Sequence, residues 1–267
     1  MNNKFICAGV TLYNPKKSDI ENLKYYSGFF EKIYVYDNTQ NFHITFAEEK
    51  IEIISYGAND GLAIACSKLC EKAKKDNYEY IMLFDQDSRI TIDSLILLCR
   101  FIKKNREIAT IYCPRIVFNG KNNKQNKNEY TFVKWCITSG SVINLTHYGK
   151  EYKFDENYFI DRLDKDLCEQ VIRSGKKICQ VNAVVMQQQL GEMEKNGYFS
   201  HMPFRHYYIA RNRLYFNRKF GKSKLTTVLE TARHAYIIIR NEPKKKQKLK
   251  MLLRGISDYR RGKMGSI

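Results

Sequence analysis

Apolar positions along this chain fall into short runs separated by polar turns, and the runs alternate between strand and helix periodicity. Residues 5–12 read as a buried strand, followed by a Tyr13-Asn14-Pro15 turn and a helical segment over residues 18–30. Residues 33–36 form a second short strand that ends in Asp37-Asn38-Thr39, and residues 51–56 form a third. Gly57-Ala58-Asn59-Asp60-Gly61 then opens a helix whose apolar residues Leu62, Cys66, Leu69, Cys70 and Ala73 recur at helical spacing. A strand over 79–85, a helix over 92–104 and a strand over 108–113 follow. Residues 131–145 supply strand material broken by Ser139-Gly140-Ser141, residues 154–175 an acidic turn entering a helix, and residues 177–186 another strand. Beyond Pro203 the pattern is helical and rich in aromatics. This alternation predicts an α/β fold with a mostly parallel sheet flanked by helices, holding its ligand at the carboxyl ends of the strands.

The most informative stretch is Glu79-Tyr80-Ile81-Met82-Leu83-Phe84-Asp85-Gln86-Asp87-Ser88, an apolar strand that runs into two aspartates one residue apart. Two carboxylates at a strand's carboxyl end suit Mg²⁺ or Mn²⁺, which take one or two protein carboxylates and complete their shell with water and substrate phosphate. Taken alone, an Asp-x-Asp is as well explained by a polar turn.

Composition bounds the rest. The 267 residues, 43% of them hydrophobic, suffice for one substantial core, and the tract at 119–129 is too polar for anything but a surface loop. No run approaches the roughly 18 apolar residues of a membrane span, and the opening Met-Asn-Asn-Lys-Phe-Ile-Cys has no long apolar region, so a cytoplasmic protein is expected. Eight cysteines are scattered without a Cys-x-x-Cys pair, which speaks against zinc and a disulfide framework; Cys66 and Cys70 read as small core residues on one helix face. The formal charge of +18 is concentrated: residues 201–267 hold 18 Lys and Arg against 3 Asp and Glu. Such density implies an anionic partner. The tail 244–263 interleaves lysines with Met251, Leu252, Leu253, Ile256 and Tyr259; it could lie on an anionic lipid surface or pack on the domain.

In their order, seven motifs resemble those of inverting family 2 nucleotide-sugar glycosyltransferases of the GT-A fold, particularly bacterial rhamnosyltransferase-like enzymes. They are Val10-Thr11-Leu12-Tyr13-Asn14-Pro15, Val35-Tyr36-Asp37-Asn38, Asn59-Asp60-Gly61-Leu62-Ala63, Asp85-Gln86-Asp87-Ser88, Ser139-Gly140-Ser141, Phe159-Ile160-Asp161-Arg162-Leu163-Asp164 and Arg205-His206-Tyr207-Tyr208-Ile209-Ala210-Arg211-Asn212. The resemblance covers about residues 5–220 and implies a Rossmann-like GT-A domain over 1–220 with a basic helical extension over 221–267. It implies that Thr11, Tyr13, Asn14 and Asp37 cradle the nucleoside, that Asn59, Asp60 and Gly61 approach base or sugar, and that Asp87 and Asp85 bind Mg²⁺ or Mn²⁺ at the diphosphate. Arg205 and Arg211 would grip diphosphate oxygens.

Inversion needs a base opposite the leaving group. The family's Glu-Asp pair maps its second residue onto Asp164, with Leu163 in place of the glutamate; Asp161 matches the Phe-Ile-Asp of rhamnosyltransferase-like members and would share a helix face with Asp164. A second departure is Gln188, where relatives commonly carry a metal-binding histidine. The implied donor is dTDP-rhamnose or a UDP-hexose. The implied acceptor is an undecaprenyl-linked saccharide at the inner face of a bacterial cytoplasmic membrane, so peripheral attachment to an anionic membrane surface is expected. A different class, a non-catalytic basic protein for membrane or nucleic acid, would leave the aspartates structural; no nucleic-acid-binding motif appears, so no nucleic acid partner is expected. A nucleotidyltransferase would show a glycine-rich loop after the first strand, which Tyr13-Asn14-Pro15-Lys16-Lys17 lacks. The oligomeric state is left open.

Overall fold

A computed structural model of the chain describes residues 4–41, 45–46, 48–55, 57–118, 128–188, 192–193 and 199–267. Its contacts divide the chain into two units, Met1–Glu156 with Asp164–Gln188, and Asn157–Leu163 with Gln189–Ile267.

The first unit is built on β1 (Lys4–Leu12), α1 (Lys17–Ser27), β2 (Ile33–Asp37), β3 (Ile51–Ser55), α2 (Leu62–Lys75) and β4 (Tyr78–Asp85). β3, β2, β1 and β4 lie side by side in that order and all run parallel. Six consecutive residues at the end of β1 are buried because neighbours pair with it on both edges and helices cover the sheet, so a continuous apolar run is what the position requires. The chain then adds β5 (Arg89–Ile90), α3 (Ile92–Lys104), β6 (Ile111–Phe118), β7 (Tyr130–Val133), β8 (Val142–Asn144), α4 (Leu163–Arg173) and β9 (Ile178–Gln188). The sheet continues from β4 through β8, β6 and β9 to β5, with β7 also on β9. β8 is antiparallel to β4 and β6, so the sheet is mixed. Strand order reverses at β1 and β4, and ligands of such sheets bind outside the strands' carboxyl ends at this reversal.

Cys66 and Cys70 are buried on α2, and burial pushes both thiols up, so they stay protonated core residues. Two expectations shift. α4 begins at Leu163, because Asp161 and Arg162 both have left-handed backbone, with φ of 64° and 69°; Asp161 and Asp164 therefore do not share a helix face. β5 is a two-residue strand that the periodicity did not mark.

The second unit holds β10 (Glu192–Met193) paired antiparallel with β11 (Phe199–Ser200), then α5 (Pro203–Lys219), α6 (Lys224–Asn241) and α7 (Lys245–Arg260). The boundary expected after residue 220 falls inside this unit, because α5 packs along α7. Gly255 makes that approach possible: a Cβ there would collide with the Tyr207 carbonyl oxygen. Lys248, in the lysine run, is buried in an ion pair with buried Glu242 and donates to Ser200 Oγ at 2.8 Å. Leu252 is buried with Ala210 and Ile238. Of the two placements open to the 244–263 tail, the structure takes the packed one. Among the described residues, no helix is long and apolar enough to cross a membrane.

Candidate active site

The carboxyl ends of β1, β2 and β4 gather most of the expected residues. Register pairs Thr11 with Tyr36 on one side and with Asp85 on the other, and pairs Leu12 with Asp37. Asp37 is fully buried. Its Oδ1 accepts the Thr39 backbone N–H at 2.9 Å, and Thr39 Oγ1 in turn accepts the Asn14 N–H at 2.9 Å. Asp37 Oδ2 has no hydrogen-bond partner among the described residues. A buried polar atom left unpaired costs about 1–3 kcal/mol, so this acceptor is unfinished business for the protein alone.

Asn14 turns the chain with φ of 45°, a conformation asparagine tolerates better than most residues, and the neighbouring Tyr13 ring is about half exposed at the rim. Asn59 and Asp60 serve the loop itself. Asp60 Oδ2 accepts from the Tyr36 hydroxyl at 2.8 Å, Asn38 Oδ1 accepts from Asp60 N at 3.2 Å, and Asn59 Oδ1 accepts from Gly61 N at 3.2 Å. Gly61 has φ 87° and ψ 172°, a region open in practice only to glycine, and it precedes the first turn of α2. The loop is thus fastened to the end of β2.

Asp85 closes β4 half-buried, and Asp87 stands exposed in the following turn. The residue between them, which the motif spacing does not single out, ties the ends of β4 and β1 together. Gln86 Oε1 accepts the Tyr13 N–H at 2.7 Å, and its Nε2 donates to Asp19 Oδ2 at 3.1 Å; Asp19 also accepts from Lys16 N at 2.8 Å. Asn22 on α1 donates to the Gln86 and Ser88 carbonyls at 3.2 and 2.7 Å. Ser139 Oγ accepts the Asp85 N–H at 3.1 Å and lies 2.5 Å from Ser88 Oγ. Buried Asp19 and Asn22, one turn apart on α1, were the available signal, since polar residues on a helix's inner face need partners.

Among the described residues, no group of three or more His, Cys, Asp or Glu could hold a metal. Two carboxylates one residue apart nevertheless fit Mg²⁺ or Mn²⁺ that draws its remaining ligands from water and a diphosphate. The side chain of Gln188 lies outside the described residues, as do Gln189, Leu190 and Gly191.

Asp164 is half-buried in the first turn of α4, its Oδ1 accepting from Lys165 N at 2.7 Å. Asp166, in the same turn, is fully buried and accepts from Gln170. In the second unit, Asp161 is gripped by Arg205: Nη2 lies 3.0 Å from Oδ1, and Nε lies 3.2 and 3.3 Å from the two oxygens. Buried Asn212 donates to the Ile160 and Asp161 carbonyls at 2.6 and 3.0 Å, which holds the left-handed pair in place. Arg211 is not placed as a diphosphate ligand. Its guanidinium is completely buried, donates to the Gly265 carbonyl at 2.7 Å and to Asn212 at 3.1 Å, and lies over the Tyr207 and Tyr208 rings. It fixes the chain's end to α5.

Residues 34–160 match Glycosyl transferase family 2. The chain is 27% identical to dTDP-rhamnosyl transferase RfbF of Shigella flexneri, with 98% of each chain covered. It is 21% identical to Rhamnosyltransferase WbbL of Escherichia coli (strain K12), over 64% of this chain and 75% of that one. Among solved structures, S. aureus TarS 1-349 in complex with UDP-GlcNAc aligns with a TM-score of 0.61 at 12% identity, covering 96% of this chain and 80% of that one. GalNAc-T7 with UDP, GalNAc and Mn²⁺ aligns with a TM-score of 0.56 at 11% identity, over 87% and 57%. The strand order, the two aspartates where β4 ends and these relationships agree: the chain has a GT-A fold, residues 34–160 of it match Glycosyl transferase family 2, and it is a nucleotide-sugar glycosyltransferase.

Proposed function

We propose that the chain transfers rhamnose, with inversion, from dTDP-rhamnose to a lipid-linked saccharide, UDP-hexoses being the second class of donor. The observation that carries the donor reading is Asp37: a buried carboxylate oxygen without a partner among the described residues accepts one N–H. Thymine and uracil both present N3–H, whereas cytosine presents a lone pair there, so the site selects dTDP and UDP over CDP. Tyr13 stacks on the base, while Thr11 and Asn14 shape the cradle around it. The rhamnosyl preference is supported by the relationship to dTDP-rhamnosyl transferase RfbF along nearly the whole chain.

Asp87 and Asp85 would hold Mg²⁺ or Mn²⁺ at the diphosphate. A bound divalent cation offsets the charge that develops on the departing nucleoside diphosphate. The acceptor hydroxyl oxygen forms the new bond to the anomeric carbon as the bond from that carbon to the diphosphate oxygen breaks. The proton of that hydroxyl goes to a carboxylate, which we assign to Asp164. Asp161 is the poorer choice because Arg205 already engages both its oxygens, so we assign this pair a structural role at the turn before α4. Asn59, Asp60 and Gly61 set the backbone of the loop beside the donor.

A lipid-linked acceptor requires work at a membrane, and the charge of the C-terminal quarter supports peripheral attachment to an anionic inner leaflet. Transfer of labelled rhamnose from dTDP-rhamnose to a lipid-linked acceptor fraction is the test. Asp87→Asn is expected to lose at least about a hundredfold of this activity with its melting temperature unchanged, because the lost carboxylate serves the leaving group and not the fold. A folded Asp87→Asn protein with full activity at limiting metal would contradict the assignment.

A further inference from the structure

α6 has its apolar stripe on the outside. Leu225, Val228, Leu229, Ala232, Tyr236 and Ile239 recur at i, i+3, i+4, i+7, i+11 and i+14, which places them on one face of the helix. All six are exposed, Leu225 at 69% and Ile239, at the far end, still at 52%. From Leu225 to Ile239 the stripe is about 21 Å long. The opposite face makes the packing contacts, through Ile238 and through His234, which is bonded to His206 and Arg213. A helix of a water-soluble domain ordinarily has the reverse arrangement, and exposed apolar stripes of this length mark a contact surface.

The charges around the stripe identify the occupant. Lys224, Arg233 and Arg240 are exposed on α6, and Arg240 donates to the Tyr236 hydroxyl at 2.8 Å. The single acidic residue of α6, Glu230, is turned away from the stripe, accepting from Asn217 at 3.0 Å. Two α6 helices laid face to face would oppose arginines and lysines with no carboxylate between them. A sheet of anionic headgroups supplies the missing negative charge, and the acyl layer beneath it takes the leucines, valine and isoleucine. The Tyr236 and Arg240 pair suits the boundary between the two.

We infer that the exposed face of α6 is the surface by which this protein lies on an anionic bilayer, with α7 as a buttress and not the membrane-contacting segment. This rests on the membrane reading given above and names the element responsible for it. Buried Lys248 and Leu252 take α7 out of contention along its inner face, whereas α6 buries one residue, Ile238, among those described.

Flotation with vesicles of phosphatidylglycerol and phosphatidylethanolamine, against phosphatidylcholine vesicles, tests the inference on the intact chain and on Leu225→Glu/Leu229→Glu. The intact protein is expected to float with the anionic vesicles and to be released by salt. The variant is expected to lose at least about tenfold in vesicle partitioning, because two exposed leucines that would enter the acyl layer become charges, while melting temperature and dTDP affinity stay unchanged. Equal flotation of both proteins would overturn α6 as the surface and leave the membrane reading standing. Failure of the intact protein to float on any vesicle would overturn both. A change from dimer to monomer in the variant, seen by light scattering, with vesicle binding unaltered, would reassign the stripe to a second copy.

Discussion

The side-chain oxygen of Gln86 accepts the backbone N–H of Tyr13 at 2.7 Å, so the residue between the two motif aspartates holds the loop proposed to receive the nucleoside. One side chain thereby ties the end of β4 to the end of β1, and Asp19 on α1 holds its other end. Gln86→Leu keeps the volume and deletes both hydrogen bonds. Each such bond is worth about 0.5–1.5 kcal/mol. The expected result is a donor KM raised several-fold with kcat changed less, and a melting temperature a few degrees lower. Unchanged donor kinetics would show that the Tyr13 loop is held by Thr39 alone.

Asp164→Asn is expected to cut kcat by about 10² to 10⁴, the usual contribution of a positioned proton acceptor, with donor affinity preserved. Asp161→Asn loosens the ion pair with half-exposed Arg205 and is expected to cost less than about tenfold in rate, because partly exposed pairs contribute little. The same measurements with the two magnitudes exchanged would transfer the base role to Asp161.

The second unit contains a chain of titratable groups joining its three helices. Arg213 Nη2 is 2.7 Å from His234 Nδ1, and His234 Nε2 is 2.9 Å from His206 Nδ1. Glu242, 3.5 Å from His206 Nε2, ends the series and is paired with Lys248. Since arginine can only donate, each histidine is neutral and carries its proton on Nε2. Burial, with Arg213 next, depresses His234 to about 3; burial likewise lowers His206 and His201. The pKa is lower in the folded state, so below about 6.5 the unfolded chain binds more protons and stability falls as pH falls. The neighbouring carboxylate acts in the same direction at lower pH, since Glu242 is also lowered and loses its contribution on protonation. Thermal melting followed by helical circular dichroism should drop steadily from pH 7.5 to pH 5, and His234→Gln should flatten the slope. A melting temperature constant across this range would refute the neutral-histidine arrangement.

Much of the fold was readable because parallel strands buried on both faces are written as unbroken apolar runs, as in β1 and β4. The ends of β1, β2 and β4 were readable too, since Thr11, Asp37 and Asp85 interrupt those runs at registered positions. Spacing could not disclose that Asp161 and Arg162 both adopt left-handed backbone, which depends on Asn212 some fifty residues later. Nor could it separate Arg205 from Arg211: both sit on one helix, yet one guanidinium reaches a carboxylate near solvent and the other is sealed against Gly265. The lysine run misled for a related reason. Composition registers Lys248 as a solvated charge, and only the fold supplies Glu242 to bury it with.

The central claim is that Asp37 reads the N3–H of a thymine or uracil at the donor site, and calorimetric titration with dTDP, UDP and CDP measures it directly. The intact protein should bind dTDP and UDP at least about tenfold more tightly than CDP, the difference expected when a buried acceptor is paired or left facing a lone pair. Asp37→Asn offers an amide donor that cytosine N3 can accept, so the variant should lose affinity for dTDP and UDP and gain relatively for CDP. Equal binding of all three nucleotides by the intact protein, or a preference unaltered in Asp37→Asn, would contradict the account.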